Sequence, residues 1–250
     1  MEVRLSERLM MSARMAGYNR VIADIGCDHA HMDIWLLQNG LTDSCVAMDV
    51  RSGPLEKAVR NLELYGCADR VELRLSDGFA ALKPAEADCA FLTGMGGALM
   101  SRLLEDGLGK GGHLRDNPPG KLILQPQSHF YDVRRWLDEH GWGIRDEDMT
   151  FEDGKYYVSM RAEPEERCKT GHESEAAGRL DDVQLEFGPV LCVKKPDVFI
   201  QYVKMYKRKC ERKLEELANS GSADADRKRE WFERMRDEAE KLAEGAGLWM

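Results

Sequence analysis

From residue 21 to about residue 163, short apolar runs alternate with stretches of helical spacing, and this alternation constrains the fold more than any other feature. A strand buried on both faces reads as a continuous apolar run, so the pattern predicts an α/β fold with a mainly parallel sheet covered by helices. The predicted strands are Val21–Gly26, Cys45–Val50, Val71–Ser76, Ala87–Thr93 and Lys121–Gln125. Between them His31–Asn39, Pro54–Tyr65 and Gly97–Asp106 carry helical spacing. Pro54 suits a first helical turn, where its missing N–H costs nothing. Tyr131–His140 reads as a further helix, capped by Gly141. Extended runs around Trp142–Phe151 and Lys155–Arg161 flank Asp153-Gly154, a hairpin signal, so the sheet is expected to finish with an antiparallel pair.

Residues 164–189 are polar and acidic with no clear period, and read as a connection. Beyond them Phe199, Val203, Tyr206, Cys210, Leu214 and Leu217 step by three or four residues, as do Phe232, Met235, Ala239, Leu242 and Ala246. With the turn-forming segment 219–224 between them, these predict two antiparallel helices in a short coiled-coil hairpin.

Composition excludes several classes. Of 250 residues 43% are hydrophobic and 32% charged, too apolar for a disordered chain. Seven cysteines without a C-x-x-C pair fit neither a disulfide framework nor a zinc ribbon and suit a reducing cytoplasm. The opening Met-Glu-Val-Arg-Leu-Ser-Glu-Arg offers no apolar leader, and no run approaches the roughly 18 residues that span a bilayer, so a soluble cytoplasmic protein is expected. The net charge of −9 argues against non-specific attraction to nucleic acid, but Lys194 to Lys213 carries +6, leaving −15 elsewhere. A basic stripe can steer a phosphate backbone because screening confines charge effects to about 10 Å. A solvated helix face is the alternative.

The chemistry-bearing residues cluster at the carboxyl ends of the predicted strands, where doubly wound folds bind their ligands. The first strand ends in Asp24-Ile25-Gly26-Cys27-Asp28-His29-Ala30, which lacks the other two glycines of a dinucleotide fingerprint. A carboxylate at Asp24 repels phosphate but suits an ammonium or sulfonium ligand, and S-adenosylmethionine carries both charges. Asp49, 25 residues on, ends the second strand, where an acidic side chain accepts from both ribose hydroxyls. Asp77-Gly78 ends the third, in reach of an adenine amine. Thr93-Gly94-Met95-Gly96-Gly97 ends the fourth, where bare backbone admits a flat base; a tight strand-to-helix turn would also account for these glycines. Gln125-Pro126 ends the fifth, placing an amide beside the same opening. His29 and His31 lack a third ligand, so no metal is expected, and Cys27 has no base motif for nucleophilic catalysis.

Taken together, Asp24 to Ala30, Asp49-Val50 with Gly53-Pro54-Leu55, Asp77-Gly78, Gly94 to Gly97 and Leu122 to Pro126 resemble the TrmK family of bacterial tRNA (adenine-N1) methyltransferases, from Leu5 to the C-terminal helices. The resemblance implies a class I, Rossmann-like S-adenosylmethionine-dependent methyltransferase domain with an N-terminal helix over 1–163, an acidic connection over 164–190 and a helical coiled-coil domain over 191–250. It implies methylation of adenine 22 in the D-arm region of tRNA. Asp24, Gly26, Asp28 and His29 would line the methionine side of the cofactor, Asp49 and Val50 its ribose and adenine, and Asp77 and Gly78 its amino edge. Gly94, Met95, Gly96 and Gly97 would receive the target base, with Gly94 also bordering the cofactor. The family's Tyr-Leu-Pro after Asp-His-Ala is replaced here by His31-Met32-Asp33. Arg4, Arg8 and Arg14, with Gln125 and the basic Lys204, Lys207, Arg208 and Lys209, are the expected tRNA contacts. For the three arginines the alternative is an amphipathic helix capping the sheet, since Leu5, Leu9 and Met10 also have helical spacing. A monomer is expected, with dimerisation through the coiled coil as the alternative. Other substrates, a small molecule or a protein, and a non-catalytic tRNA-binding module are the competing readings.

Overall fold

The computed structural model describes residues 2–165, 180–218 and 222–244. They belong to two compact units, Met1–Arg179 and Leu180–Met250. The first is built around β1 (Asn19–Ile25), β2 (Thr42–Asp49), β3 (Val71–Leu75), β4 (Cys89–Thr93), β5 (Lys121–Gln125), β6 (Trp142–Glu152) and β7 (Lys155–Pro164). Their order in the sheet is β3-β2-β1-β4-β5-β7-β6. β1 to β5 are parallel, while β7 runs antiparallel to both β5 and β6. The Asp153-Gly154 hairpin therefore does not add its second strand at the edge. It folds β7 back into the slot that the connection from β5 to β6 left open.

The central strands are buried along almost their whole length, which is why they read as apolar runs. β3 is the sheet edge and only Val71 in it is buried, so its weaker pattern has a positional cause. The helices are α1 (Glu7–Ala16), α2 (His31–Gln38), α3 (Ser52–Tyr65), α4 (Gly97–Leu108) and α5 (Phe130–Glu139). Pro54 falls in the first turn of α3, as its chemistry requires. Ala13, Ala16, Ile34, Leu36, Ala58, Phe91 and Ile123 are among the fully buried members of the apolar layer between helices and sheet.

β6 contains a bulge between Ile144 and Asp146, where Arg145 has no partner on β7. The extra residue changes the parity of burial: Trp142 is buried before it, Glu147 and Met149 after it. Glu147 is thereby turned inward, fully buried, and meets the equally buried Arg134 of α5 at 2.8 Å.

In the second unit the segment read as an acidic connection contains a helix, α6 (Asp182–Phe187), whose Asp181 and Gln184 form a capping box. Residues 166–179 of that segment lie outside the described ones. After the short α7 (Leu191–Lys194) come α8 (Asp197–Leu217) and α9 (Ala223–Glu244). Lys207 pairs with Glu240, and Arg229 donates to the Leu217 carbonyl, so these two helices are antiparallel. Phe199, Tyr202, Val203, Tyr206 and Cys210 of α8 and Met235 and Ala239 of α9 are buried. Part of the α8 stripe packs on α6, with the Phe187 and Tyr206 rings 5.0 Å apart at 73°. The predicted turn at 219–224 and Ala246 fall wholly or partly outside the described residues.

Candidate active site

The strand order reverses between β1 and β4, and the loops that leave these strands diverge there at the carboxyl edge, where doubly wound folds place their ligand crevice. Both loops are shaped by left-handed backbone. Gly26 has φ +84°, Asp28 +51° and Ala30 +58° after β1, and Gly94 has +78° after β4. A Cβ on Gly26 would stand 3.3 Å from the Met95 Cε, so the two loops touch across the crevice mouth. Gly26 and Cys27 both donate to the Met48 carbonyl, which anchors the first loop to β2. No side chain caps α2, which starts beside that loop, so its first-turn N–H groups remain donors for an anion.

Asp24 is 3% exposed at the end of β1, and its Oδ1 has no hydrogen-bond partner among the described residues. Burial, and then the charge of Asp33 on α2, hold its carboxyl well above the ordinary carboxylate range. Asp33 is fully buried and is pushed up to about 6 by burial. A buried, unpartnered carboxylate oxygen beside a bare helix N-terminus fits the ammonium and carboxylate of an amino-acid ligand. Asp49 is also buried; its Oδ1 accepts from the Arg51 N–H at 2.9 Å, which fixes the carboxyl orientation at the end of β2. Val50 beside it is 59% exposed, an apolar face open to a flat ring. Asp77 is exposed and engaged by Arg102 of α4 at 3.2 Å. An exposed pair of this kind is worth about 0–1 kcal/mol and yields readily to a ligand. His29 lies 3.4 Å from the Asp28 carboxylate, and its carbonyl accepts from Asn61 of α3. Among the described residues no group of three or more His, Cys, Asp or Glu side chains could hold a metal ion.

The glycine-rich loop after β4 is less bare than its composition suggests. Gly94 N donates to the Gln125 carbonyl, Gln127 N to Met95, and Gly97 N to Ser128, so the loop stays zipped to the β5–α5 connection. A Cβ on Gly97 would collide with the Ser128 carbonyl oxygen. Chain packing thus accounts for Gly97, whereas Gly94 is exposed and open, with only Arg8 Nη1 near its missing Cβ, at 3.8 Å.

The predicted substrate contacts separate. Arg8 is half-buried and turned toward the crevice. Its Nη1 donates to Gln125 Oε1 at 3.0 Å, and its guanidinium lies 5.4 Å from the Tyr157 ring centroid. Gln125 is fully buried, and its Nε2 donates to the Arg8 carbonyl, Ser12 and Ser159, so it holds α1 and Arg8 in place. Arg4 and Arg14 are exposed, and Arg14 borders a cleft containing Glu7, Asp146 and Asp148. Lys204, Arg208 and Lys209 are exposed on α8, but Lys207 is tied to Glu240 at 2.6 Å. Sequence reasoning missed Ser76, whose Oγ donates to the Gly78 carbonyl and accepts from Ala81, shaping the β3 loop. It also missed Ser12, Ser159 and Tyr157, which only long-range contact brings beside Arg8.

The sheet order, the crevice at its switch point and the strand-end carboxylates define a class I, Rossmann-like S-adenosylmethionine-dependent methyltransferase fold. Residues 22–240 match the family model described as TrmK: tRNA (adenine(22)-N(1))-methyltransferase. The chain belongs to this family. It is 32% identical over 246 residues to the tRNA (adenine(22)-N(1))-methyltransferase of Bacillus subtilis (strain 168), covering 97% of each chain. The crystal structure of the B. subtilis enzyme superposes with a TM-score of 0.82 at 27% identity, over 97% of this chain and 100% of that one. A Streptococcus pneumoniae relative solved with S-adenosyl-L-methionine matches with a TM-score of 0.79 at 29% identity, over 96% and 100%.

Proposed function

We propose that the protein transfers a methyl group from S-adenosylmethionine to N1 of adenine 22 in tRNA. The observation that carries this reading is the β1/β4 switch-point crevice, with Asp24, Asp49 and Asp77 at successive strand ends on one side and the open Gly94 loop with Arg8 on the other. It is supported by membership of the family. Asp24, Gly26, Asp28 and His29 bind the methionine end, Asp49 and Val50 the ribose and adenine, and Asp77 and Gly78 the amino edge.

S-adenosylmethionine supplies an electrophilic methyl on a sulfonium sulfur. Adenine N1 offers a lone pair at neutral pH, so the site needs no base to create the nucleophile. As the N1–methyl bond forms from that lone pair, the sulfur–methyl bond breaks with its electrons on sulfur, and the positive charge passes to the base. What the protein must provide is in-line positioning, which is worth up to roughly 7–11 kcal/mol. N1 lies on the pairing edge, so the base is turned out of the tRNA at a cost of about a few kcal/mol. The open Gly94, at the head of the Gly94 to Gly97 loop, leaves the space, and Arg8, held by Gln125 and Tyr157, supplies a fixed planar donor beside it. Arg4, Arg14, Lys204, Arg208 and Lys209 contact phosphates more peripherally. The six described cysteines are free thiols, which supports a reducing cytoplasm, and a monomer, testable by light scattering, suffices for every role assigned.

Transfer of labelled methyl to unmodified tRNA, followed by nucleoside analysis, tests the proposal. We expect 1-methyladenosine at position 22 and no product when that adenine is replaced. Cofactor binding without incorporation into any tRNA would point to another substrate.

A further inference from the structure

Asp33 sits in the first turn of α2, fully buried, and among the described residues neither of its carboxylate oxygens has a hydrogen-bond partner on another residue's N–H or hydroxyl. Its carboxyl neighbours those of Asp24 and the Cys45 thiol. Asp24 is itself buried with Oδ1 unpartnered. The groups facing this pair are Cys27 and Asp28 from the loop after β1 and Cys45 and Asp49 from β2. All are acidic or thiol, and the basic Arg70 acts on Cys45. Two neighbouring carboxyls, out of water and with no counter-ion among the described residues, cannot both be ionised. One proton must stay with the pair until a cation arrives.

We propose that Asp33 is a positioning residue that shares one proton with Asp24 in the free protein, and that the cofactor's ammonium group displaces this proton on binding. The inference rests on the reading that Asp24 faces the methionine end. In the step an O–H bond of the pair breaks, the proton passes to solvent, and the bound ammonium takes over as counter-ion. Affinity then rises with pH while the free pair is still protonated, by up to about tenfold per pH unit, and levels off once it is ionised. Asp33→Asn removes one carboxylate and the repulsion it exerts. Burial still raises Asp24, so the variant keeps part of the proton, but less of it than the pair holds.

The test is calorimetric titration of the full-length protein with S-adenosylhomocysteine, which carries the same ammonium. It is run at about pH 6 in two buffers of different ionisation enthalpy, so that proton release is counted directly. We expect release approaching one proton for the natural protein and a measurably smaller release for Asp33→Asn and Asp33→Ala, with a flatter affinity–pH profile. Identical heats in both buffers for the natural protein overturn the inference, and that count does not depend on any variant folding. Undiminished release in the folded variants assigns the proton elsewhere and also overturns it. Failure of S-adenosylhomocysteine to bind at all would instead overturn the cofactor reading, and the inference with it.

Discussion

Asp33 is a helix residue whose burial no periodicity explains, and its cost belongs to the native state. Its carboxyl holds a proton to about pH 6, above the ordinary range, so the native state binds that proton more tightly than the unfolded chain does. The sign follows: a raised acid loses native stability as pH climbs through roughly 4 to 6, and the loss persists above. Asp33→Asn should therefore stabilise the protein by on the order of 1–3 kcal/mol at pH 7, with the gain vanishing near pH 4, as thermal melts across that range would show. Arg134 and Glu147 behave oppositely, because each is the other's counter-ion in a water-free setting. Arg134→Met leaves Glu147 charged and buried, and should cost about 3–5 kcal/mol in denaturant unfolding. Glu147→Gln with Arg134→Met should recover much of that loss.

At the scale of elements, the site depends on how two loops and one helix are clamped. The loop from Gly94 to Gly97 is held to the β5–α5 connection by backbone bonds, and Gly97 touches Ser128 too closely for any side chain. Gly97→Ala should push the loop from its place and lower the rate of methyl transfer by at least about tenfold, with S-adenosylhomocysteine affinity little changed, since a small misplacement of a reacting group is costly. Helix α1 delivers Arg8 to the crevice because Gln125, Ser12 and Ser159 bind it to β5 and β7. Arg8→Ala should cut kcat/KM for tRNA far more than Arg14→Ala, again with cofactor affinity kept. Strands β1 to β5 and helices α1 to α5 were legible because each follows its own period over a short span. The insertion of β7 between β5 and β6, and the bulge that turns Glu147 inward, were not. Both depend on which partner a strand meets, and a single unpaired residue such as Arg145 leaves no local mark.

Across the whole molecule, charge is distributed unevenly, with an excess of +6 between Lys194 and Lys213 in a chain of net −9. Structure ties down part of the stripe, because Lys207 and Lys213 pair with Glu240 and Glu216, whereas Lys204, Arg208 and Lys209 are among its exposed charges. Reversing those three charges should weaken tRNA binding and flatten its dependence on salt, whereas Lys207→Ala should alter tRNA binding little; filter binding at two or more salt concentrations distinguishes them. Cofactor affinity should be unaffected by either change. The sequence by itself determined the parallel sheet, the carboxylates and glycines at its strand ends, the helical hairpin and the family, because short-range periodicity and strand-end composition are written in neighbouring residues. Only the tertiary structure decided that Arg8 turns inward, that Gln125 is consumed in holding it, and that Asp33 neighbours Asp24 with no counter-ion among the described residues. Those facts depend on burial and on contacts between separate elements, as between Arg8 and Gln125, 117 positions apart, and no local pattern encodes which side chains packing will bring together.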